Sequence, residues 1–279
     1  MSAVLANAID AAPDARLCLL GTGGVGRAAL QRLAELQDAG IGRRLALVGV
    51  ANSRRCLRGE TLPPRQARDP VAPLSRATSI DWVDDLFAAS GPARRIVIDA
   101  TASDAVAARH AHWLAQGIDV VTANKLGQGG SLLRWQAIRT AQASGRARYG
   151  DAATVGAGLP LLRTLRALTL GGDRITAIAG VLSGSLAWLF DHYNGARPFS
   201  ELVREARDRG YTEPDPRDDL SGADVRRKLL ILARAAGIAL DEHEIAVTPL
   251  FDATLAQLER GEVDAALSRL DAPLRLRLD

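Results

Sequence analysis

The turn Gly21-Thr-Gly-Gly-Val-Gly26 constrains this chain more than any other feature, because of what flanks it. A short apolar run, residues 16–20, precedes it. After it, residues 27–38 place Leu30, Leu33, Ala34 and Gln37 at helical spacing. A second apolar run follows at 45–51, so the segment reads as strand, glycine turn, helix and strand, one βαβ unit. In such a unit Gly21 admits the tight turn, Gly23 lets backbone approach a pyrophosphate, and Gly26 lets the helix pack closely on the strand. Gly24 and Val25 fall at the helix start, whose free N–H groups and positive dipole end attract phosphate. Gly21, Gly23, Gly24, Val25 and Gly26 are therefore the candidate site for a dinucleotide.

The alternation continues along the chain. Residues 81–89 read as a short helix, 95–100 as a buried strand, 103–116 as a helix ended by Gly117, 118–122 as a strand, and 131–143 as a helix. Residues 53–78, rich in Pro and Arg, read as a long irregular excursion. Strands alternating with helices specify a parallel sheet wound on both faces. The rhythm changes near Tyr149. Residues 159–170 read as a helix with Pro160 in its first turn, 175–182 as a strand, and 185–193, 199–209 and 223–236 as helices. The expected architecture is α/β, with a Rossmann-type doubly wound parallel sheet in residues 1–152. A smaller α+β domain is expected in 153–279.

Composition narrows the function classes. The 279 residues are 47% hydrophobic and 24% charged, with a formal net charge of +3. That balance fits a soluble globular chain and speaks against a nucleic-acid binder. Cys18 and Cys56 are too few for a disulfide framework and form no CxxC pair for zinc, which fits a reducing, cytoplasmic home. Residues 1–16 lack the basic start and apolar core of a signal peptide. The longest uncharged stretch, 175–190, is broken by Gly180, Ser183, Gly184 and Ser185 and is too short for a membrane span.

Only two of the 35 basic residues are lysines, Lys125 and Lys228. Arginine stays charged at any accessible pH, whereas an enclosed lysine can release its proton. A position that must both donate and accept a proton cannot use arginine, so both lysines are candidates for chemistry.

Four segments carry candidate site residues. The second strand ends Ala51-Asn-Ser53-Arg54-Arg55, with no acidic residue for a ribose 2′-hydroxyl. The hydroxyl of Ser53 and the guanidinium of Arg54 suit a 2′-phosphate instead, so NADP is accepted, with NAD as the alternative. Ala100-Thr101-Ala-Ser103-Asp104 follows another strand, where open α/β sheets bind ligands. Thr101 and Ser103 there offer hydrogen bonds to ribose or nicotinamide, although Ser103 or Asp104 also suits a plain helix N-cap. Val121-Thr-Ala-Asn124-Lys125 puts an ammonium at a third strand end, near the nicotinamide edge. Gly210-Tyr-Thr-Glu213-Pro-Asp215-Pro-Arg-Asp218-Asp219 precedes a helix in which Asp224 and Lys228 stand four apart, on one face. Pro214 and Pro216 are expected to hold this segment extended, and Ser221 to cap the helix. Its carboxylates are what a protein needs to hold a substrate ammonium, and the paired lysine suits proton transfer. His110 and His112, two apart, face different sides of a helix and cannot share a metal. His192 and His243 are isolated, and the four tryptophans are scattered as packing residues.

Six motifs in fixed order resemble the homoserine dehydrogenases, in particular the dehydrogenase part of the bifunctional aspartokinase–homoserine dehydrogenases. They are GTGGVG, VGVANSR, TANK, TVGAGLP, GVLSGSL and GYTEPDPRDDLSGADVRRKLLILAR, and the similarity runs from about residue 17 to about residue 245. The resemblance implies interconversion of L-homoserine and L-aspartate 4-semialdehyde with NAD(P)(H), on the route to threonine, methionine and isoleucine, by a homodimer built through the second domain. It implies that Lys228 donates and accepts the proton at the substrate oxygen, with Lys125 beside that oxygen and the nicotinamide. It further implies that Glu213 and Asp224 bind homoserine and that Asp218 and Asp219 support the amino group. The carbonyls of Val155, Ala157 and Leu159 match a site for a monovalent cation such as sodium. The family's carboxylate three residues before Val155 is replaced by Ala152, with Asp151 one place away. The family's later strands, glycine loop and final helix have no counterpart before residue 279, and no kinase or ACT segment is present, so threonine feedback by that route is not expected. The rival expectation is a shortened, catalytically impaired homologue that binds nucleotide or pairs with a full-length partner.

Overall fold

Leu17 and Leu19 point to one side of the first strand and Cys18 and Leu20 to the other, and all four are buried. A strand covered on both faces belongs at the centre of a doubly wound sheet. The computed structural model describes residues 13–42, 44–68, 72–73, 80–88 and 91–278. Expectations for residues 1–12, for Ala89 and for much of 69–79 lie outside these.

The chain divides into two compact units, Met1–Pro160 and Leu161–Asp279. In the first unit β1 (Ala15–Leu20), α1 (Gly24–Asp38) and β2 (Leu45–Ala51) form the expected βαβ unit. There follow β3 (Arg55–Arg58), β4 (Ala72–Pro73), α2 (Trp82–Ala88), β5 (Arg94–Asp99), α3 (Asp104–Ala107), α4 (His110–Ala115), β6 (Asp119–Thr122), α5 (Leu132–Ala143) and β7 (Tyr149–Gly150). The sheet order is β4-β3-β2-β1-β5-β6-β7. β2, β1, β5, β6 and β7 pair in parallel, whereas β3 and β4 are antiparallel. Leu17, Leu19, Leu47 and Val50 pack with Leu30 and Leu33 of α1 on one face. Cys18, Val48, Val97 and Val120 pack with Trp82, Trp113 and Ile138 on the other. Both cysteines are buried free thiols, and burial pushes the Cys18 thiol well above its usual range.

Two details of the first unit differ from expectation. The excursion after β2 is not wholly irregular, because Asn52 turns the chain back by accepting the N–H groups of Arg54 and Arg55, and β3 then adds antiparallel to β2. The helix expected over 103–116 is interrupted at Ala108 and Arg109, giving α3 and α4.

The regular elements described in the second unit are helices: α6 (Leu161–Leu170), α7 (Gly184–His192), α8 (Phe199–Asp208), α9 (Arg217–Leu220), α10 (Ala223–Ala235), α11 (Ala253–Ala256), α12 (Arg260–Ala266) and α13 (Asp271–Arg275), with 3-10 turns at Glu242–Glu244 and Leu267–Leu270. Phe199, Leu202, Val203 and Ala206 repeat every three or four residues along α8 and bury one stripe against Leu189, Leu220, Val263, Leu267 and Leu274. The Asp271 carboxylate accepts the N–H and hydroxyl of Ser200, capping α8 from 71 residues away.

Residues 175–182 do not form the expected strand. They run without regular structure, and Val181 is 75% exposed. A strand requires a neighbour for its backbone groups, and the described residues supply none. Pro216 is not extended but helical, and opens α9. Gly222, at a φ of 72°, is the N-cap of α10, and Ser221 accepts the Ala223 N–H instead of capping further in.

Candidate functional site

The strand order reverses between β1 and β5, since the chain leaves β1 toward β2 and later returns to β1's other side. Open sheets bind ligands beyond the strand ends at such a reversal. A cleft of about 460 Å³ lies there, lined by Gly21, Gly23, Asn52, Ser53, Thr101 and Ser103, among others.

The glycine turn meets the physical demands of a dinucleotide. Gly21 has a φ of 97°, and a Cβ there would stand 2.6 Å from the Ala100 carbonyl oxygen. A Cβ on Gly26 would lie 1.8 Å from the Gly21 carbonyl oxygen, so that glycine closes the turn onto the helix. Gly23 and Gly24 have open space where a Cβ would go. Gly23, the N-cap of α1, makes no side-chain capping bond, and the first turn holds no acidic residue. The first N–H groups of a long helix thus face an open, acid-free cradle, which fits a pyrophosphate. Val25 is exposed beside them.

Of the other candidates of this unit, Ser53, Thr101 and Ser103 line the cleft's rim. Ser53 and Arg54 are exposed in the turn after β2, held by Asn52, whose amide also reaches the Thr22 hydroxyl at 3.5 Å. Ser103 is the N-cap of α3, its hydroxyl accepting from the Val106 N–H, and it also lines the cleft. Thr101 donates its N–H and hydroxyl to Asp99 at 2.9 and 2.7 Å. Lys125 is half-buried in the turn that follows β6. Asp99, Asn124, His110 and Tyr149 form a buried cluster beneath this rim that sequence reasoning missed. The available signal was an aspartate closing the apolar run Ile96-Val-Ile-Asp99, where a buried carboxylate demands partners.

In the second unit, Lys228 stands 2.7 Å from the Asp224 carboxylate and donates to the Leu182 carbonyl at 2.8 Å. This is the helical pairing that the four-residue spacing predicts. Asp219 accepts from the Ser185 hydroxyl at 2.6 Å and from the Glu213 N–H at 2.8 Å. It therefore fixes the Glu213 backbone, while the Glu213 and Asp218 side chains are not enclosed with it. Asp215 has a different task. Arg217 binds it through Nε and Nη2 and also donates to the carbonyls of Leu255, Ala256 and Leu258. The Arg217 guanidinium holds the Asp215 carboxyl below the usual carboxylate range.

The proposed cation carbonyls lie in the turn ending the first unit, where Val155 is buried and Ala157 and Leu159 are exposed. Asp151 is buried there, and Ala152 adds no carboxylate. Among the described residues, no cluster of three or more His, Cys, Asp or Glu could hold a metal, and no helix is long and apolar enough to cross a membrane.

Two family models match the chain. The homoserine dehydrogenase NAD-binding domain covers residues 21–149, and the homoserine dehydrogenase domain covers 160–275. The chain is 39% identical over 237 residues to a chloroplastic bifunctional aspartokinase/homoserine dehydrogenase of Zea mays, matching 83% of this chain and 26% of that one. It is 41% identical over 236 residues to a homoserine dehydrogenase of Emericella nidulans, matching 80% of this chain and 63% of that one. The crystal structure of a homoserine dehydrogenase from Thermoplasma acidophilum superimposes with a TM-score of 0.62 at 26% identity, covering 82% of this chain and 72% of that one. The chain thus spans less than two thirds of the length of either sequence relative. Both of its units are nevertheless matched by models of one family, over ranges that include the glycine turn and the acidic segment: the chain belongs to the homoserine dehydrogenase family.

Proposed function

We propose that this chain is an NADP-accepting homoserine dehydrogenase that interconverts L-homoserine and L-aspartate 4-semialdehyde, on the route to threonine, methionine and isoleucine. The observation that carries the reading is Lys228, one of only two lysines, held between the Asp224 carboxylate and the Leu182 carbonyl inside the family's acidic segment. The nicotinamide, when bound, supplies a hydride to the aldehyde carbon or takes it back from the alcohol. The chain's own residues do the rest. Gly21 to Gly26 seat the pyrophosphate, Ser53 and Arg54 meet the 2′-phosphate, and Thr101, Ser103 and Lys125 form the nicotinamide end. As the aldehyde is reduced, Lys228 gives a proton to the developing alkoxide, and in the reverse direction it takes that proton from the alcohol. Its two acceptors aim the ammonium and keep it available. Glu213 and Asp224 bind the amino acid, with Asp218 and Asp219 supporting its ammonium group. The exposed segment 175–182, with no partner strand among the described residues, supports a homodimer paired through the second unit.

The deciding experiment follows NADPH absorbance in the purified chain with aspartate 4-semialdehyde. Oxidation is expected, and Lys228→Arg should lower turnover roughly 10²–10⁴-fold while NADPH still binds. Absence of oxidation overturns the activity, and near-normal turnover of Lys228→Arg removes Lys228 from proton transfer.

A further inference from the structure

Asp99 closes β5 and is fully buried, as is His110 on α4. The Asp99 carboxylate accepts four hydrogen bonds. Oδ1 takes the N–H and hydroxyl of Thr101, at 2.9 and 2.7 Å. Oδ2 takes His110 Nε2 at 2.9 Å and Asn124 Nδ2 at 3.0 Å. Both oxygens are saturated, so the carboxylate has one orientation. His110 Nδ1 lies 2.9 Å from the Tyr149 hydroxyl on β7, which extends the chain of contacts across the sheet.

This cluster reaches the lysine turn twice. Asn124 Oδ1 accepts the Leu126 N–H at 3.0 Å, and its amide also donates to the Ser103 carbonyl at 2.9 Å. Lys125 is the residue between those two ends, so its backbone is set by Asn124, which Asp99 holds. Two residues on, Gly127 lies so close to the cluster that a Cβ there would stand 2.2 Å from the Tyr149 hydroxyl oxygen and 2.9 Å from His110 Nδ1. Arg134 of α5 supports the same turn from its other side by donating to the Leu126 carbonyl at 3.0 Å while pairing with Asp104.

We propose that Asp99 is a positioning residue, backed by His110 and Tyr149, that locks the Thr101 and Lys125 turns together as the two lips of the nicotinamide end of the cleft. The inference rests on the reading of the cleft as a dinucleotide site. Asp99 is fully buried and does not line the cleft. It lies beneath the rim and acts through Thr101 and Asn124. At the adenosine end, the turn after β2 is held by Asn52 rather than by this cluster, and that end should be indifferent to it.

That separation supplies the test. Calorimetry on the full chain compares NADPH with 2′,5′-ADP, which carries only the adenosine half, for wild type, Asp99→Asn and Tyr149→Phe. The substituted carboxamide would turn a donor toward either Thr101 or Asn124, and neither can answer without giving up its own turn. Asp99→Asn should weaken NADPH about 10-fold while 2′,5′-ADP stays within about 2-fold, as expected for coupling through contacts. Tyr149→Phe, at the far end of the cluster, should show the same split at about 3-fold, and it decides the matter if Asp99→Asn does not fold. Equal loss of both ligands would mean that Asp99 merely stabilises the sheet, and unchanged NADPH affinity would show that the turns need no lock; either overturns the proposal. A wild-type chain that binds 2′,5′-ADP but gains nothing from the nicotinamide half overturns it as well. Failure of wild type to bind either ligand instead overturns the dinucleotide reading on which it rests.

Discussion

Gly23 and Gly26 are both glycines of one motif, yet the chain needs them for different reasons. A side chain at 26 would strike the Gly21 carbonyl, so that position is fixed by packing before any ligand arrives. A Cβ at 23 would have no protein atom within 4 Å. Gly23→Val should therefore leave folding intact and obstruct only the ligand, weakening NADPH by about 3 kcal/mol or more, on the order of 100-fold. Calorimetry on the folded variant checks this, and an unaltered affinity would remove the glycine turn from the pyrophosphate site. Arg54 is exposed at the end of β2, with no carboxylate following that strand to select NAD. Arg54→Ala should cost NADP binding about 1–3 kcal/mol and leave NAD unchanged, because a charge-assisted bond to the 2′-phosphate is lost. Equal losses for both cofactors would show that Arg54 does not read that phosphate.

At the scale of elements, the acidic segment contains two kinds of carboxylate that sequence alone does not separate. Asp215 is drawn inward by Arg217, and that arginine pins the chain around Leu255 to Leu258. The pair holds α9 in place. Because Arg217 lowers the Asp215 carboxyl below its ordinary range, the contribution is present above that range and is lost as pH falls through the depressed value. Asp215→Asn should thus lower Tm at pH 7, and the gap to wild type should close as both are acidified below about pH 4. A gap of the same size at both pH values would exclude the charge as its source. β2 was legible to the residue, since an unbroken apolar run between turn signals leaves little freedom. Asp224 and Lys228 were legible because helical spacing alone brings them together. Asp215, Pro216 and Asp99 were not, because their roles depend on partners distant in sequence. Arg217 reaches 41 residues ahead to Leu258, and Asp99 reaches 25 residues ahead to Asn124.

For the molecule as a whole, the unsatisfied element is residues 175–182. Its apolar, β-branched composition predicts a strand, and its local preference is therefore extended. What it lacks among the described residues is a neighbour, and it is left with Val181 75% exposed and its backbone without a ladder. Leu182 is tied down through its carbonyl by Lys228, so the segment is anchored at the end nearest the proposed proton donor. A second copy of the chain offers an identical segment, and an antiparallel pair of such strands would give each the backbone ladder it lacks along one edge. The wild-type chain should sediment as a dimer at micromolar concentration. Ala179→Pro should shift it to monomer, because proline removes one backbone donor and cannot sit in a paired strand. Since this segment packs little within its own unit, the variant's helical circular dichroism should match wild type. If the variant remains dimeric, or if wild type is already monomeric, pairing through 175–182 is excluded. A monomeric variant that also loses turnover would go further, tying assembly to the lysine through the Leu182 carbonyl that the two share.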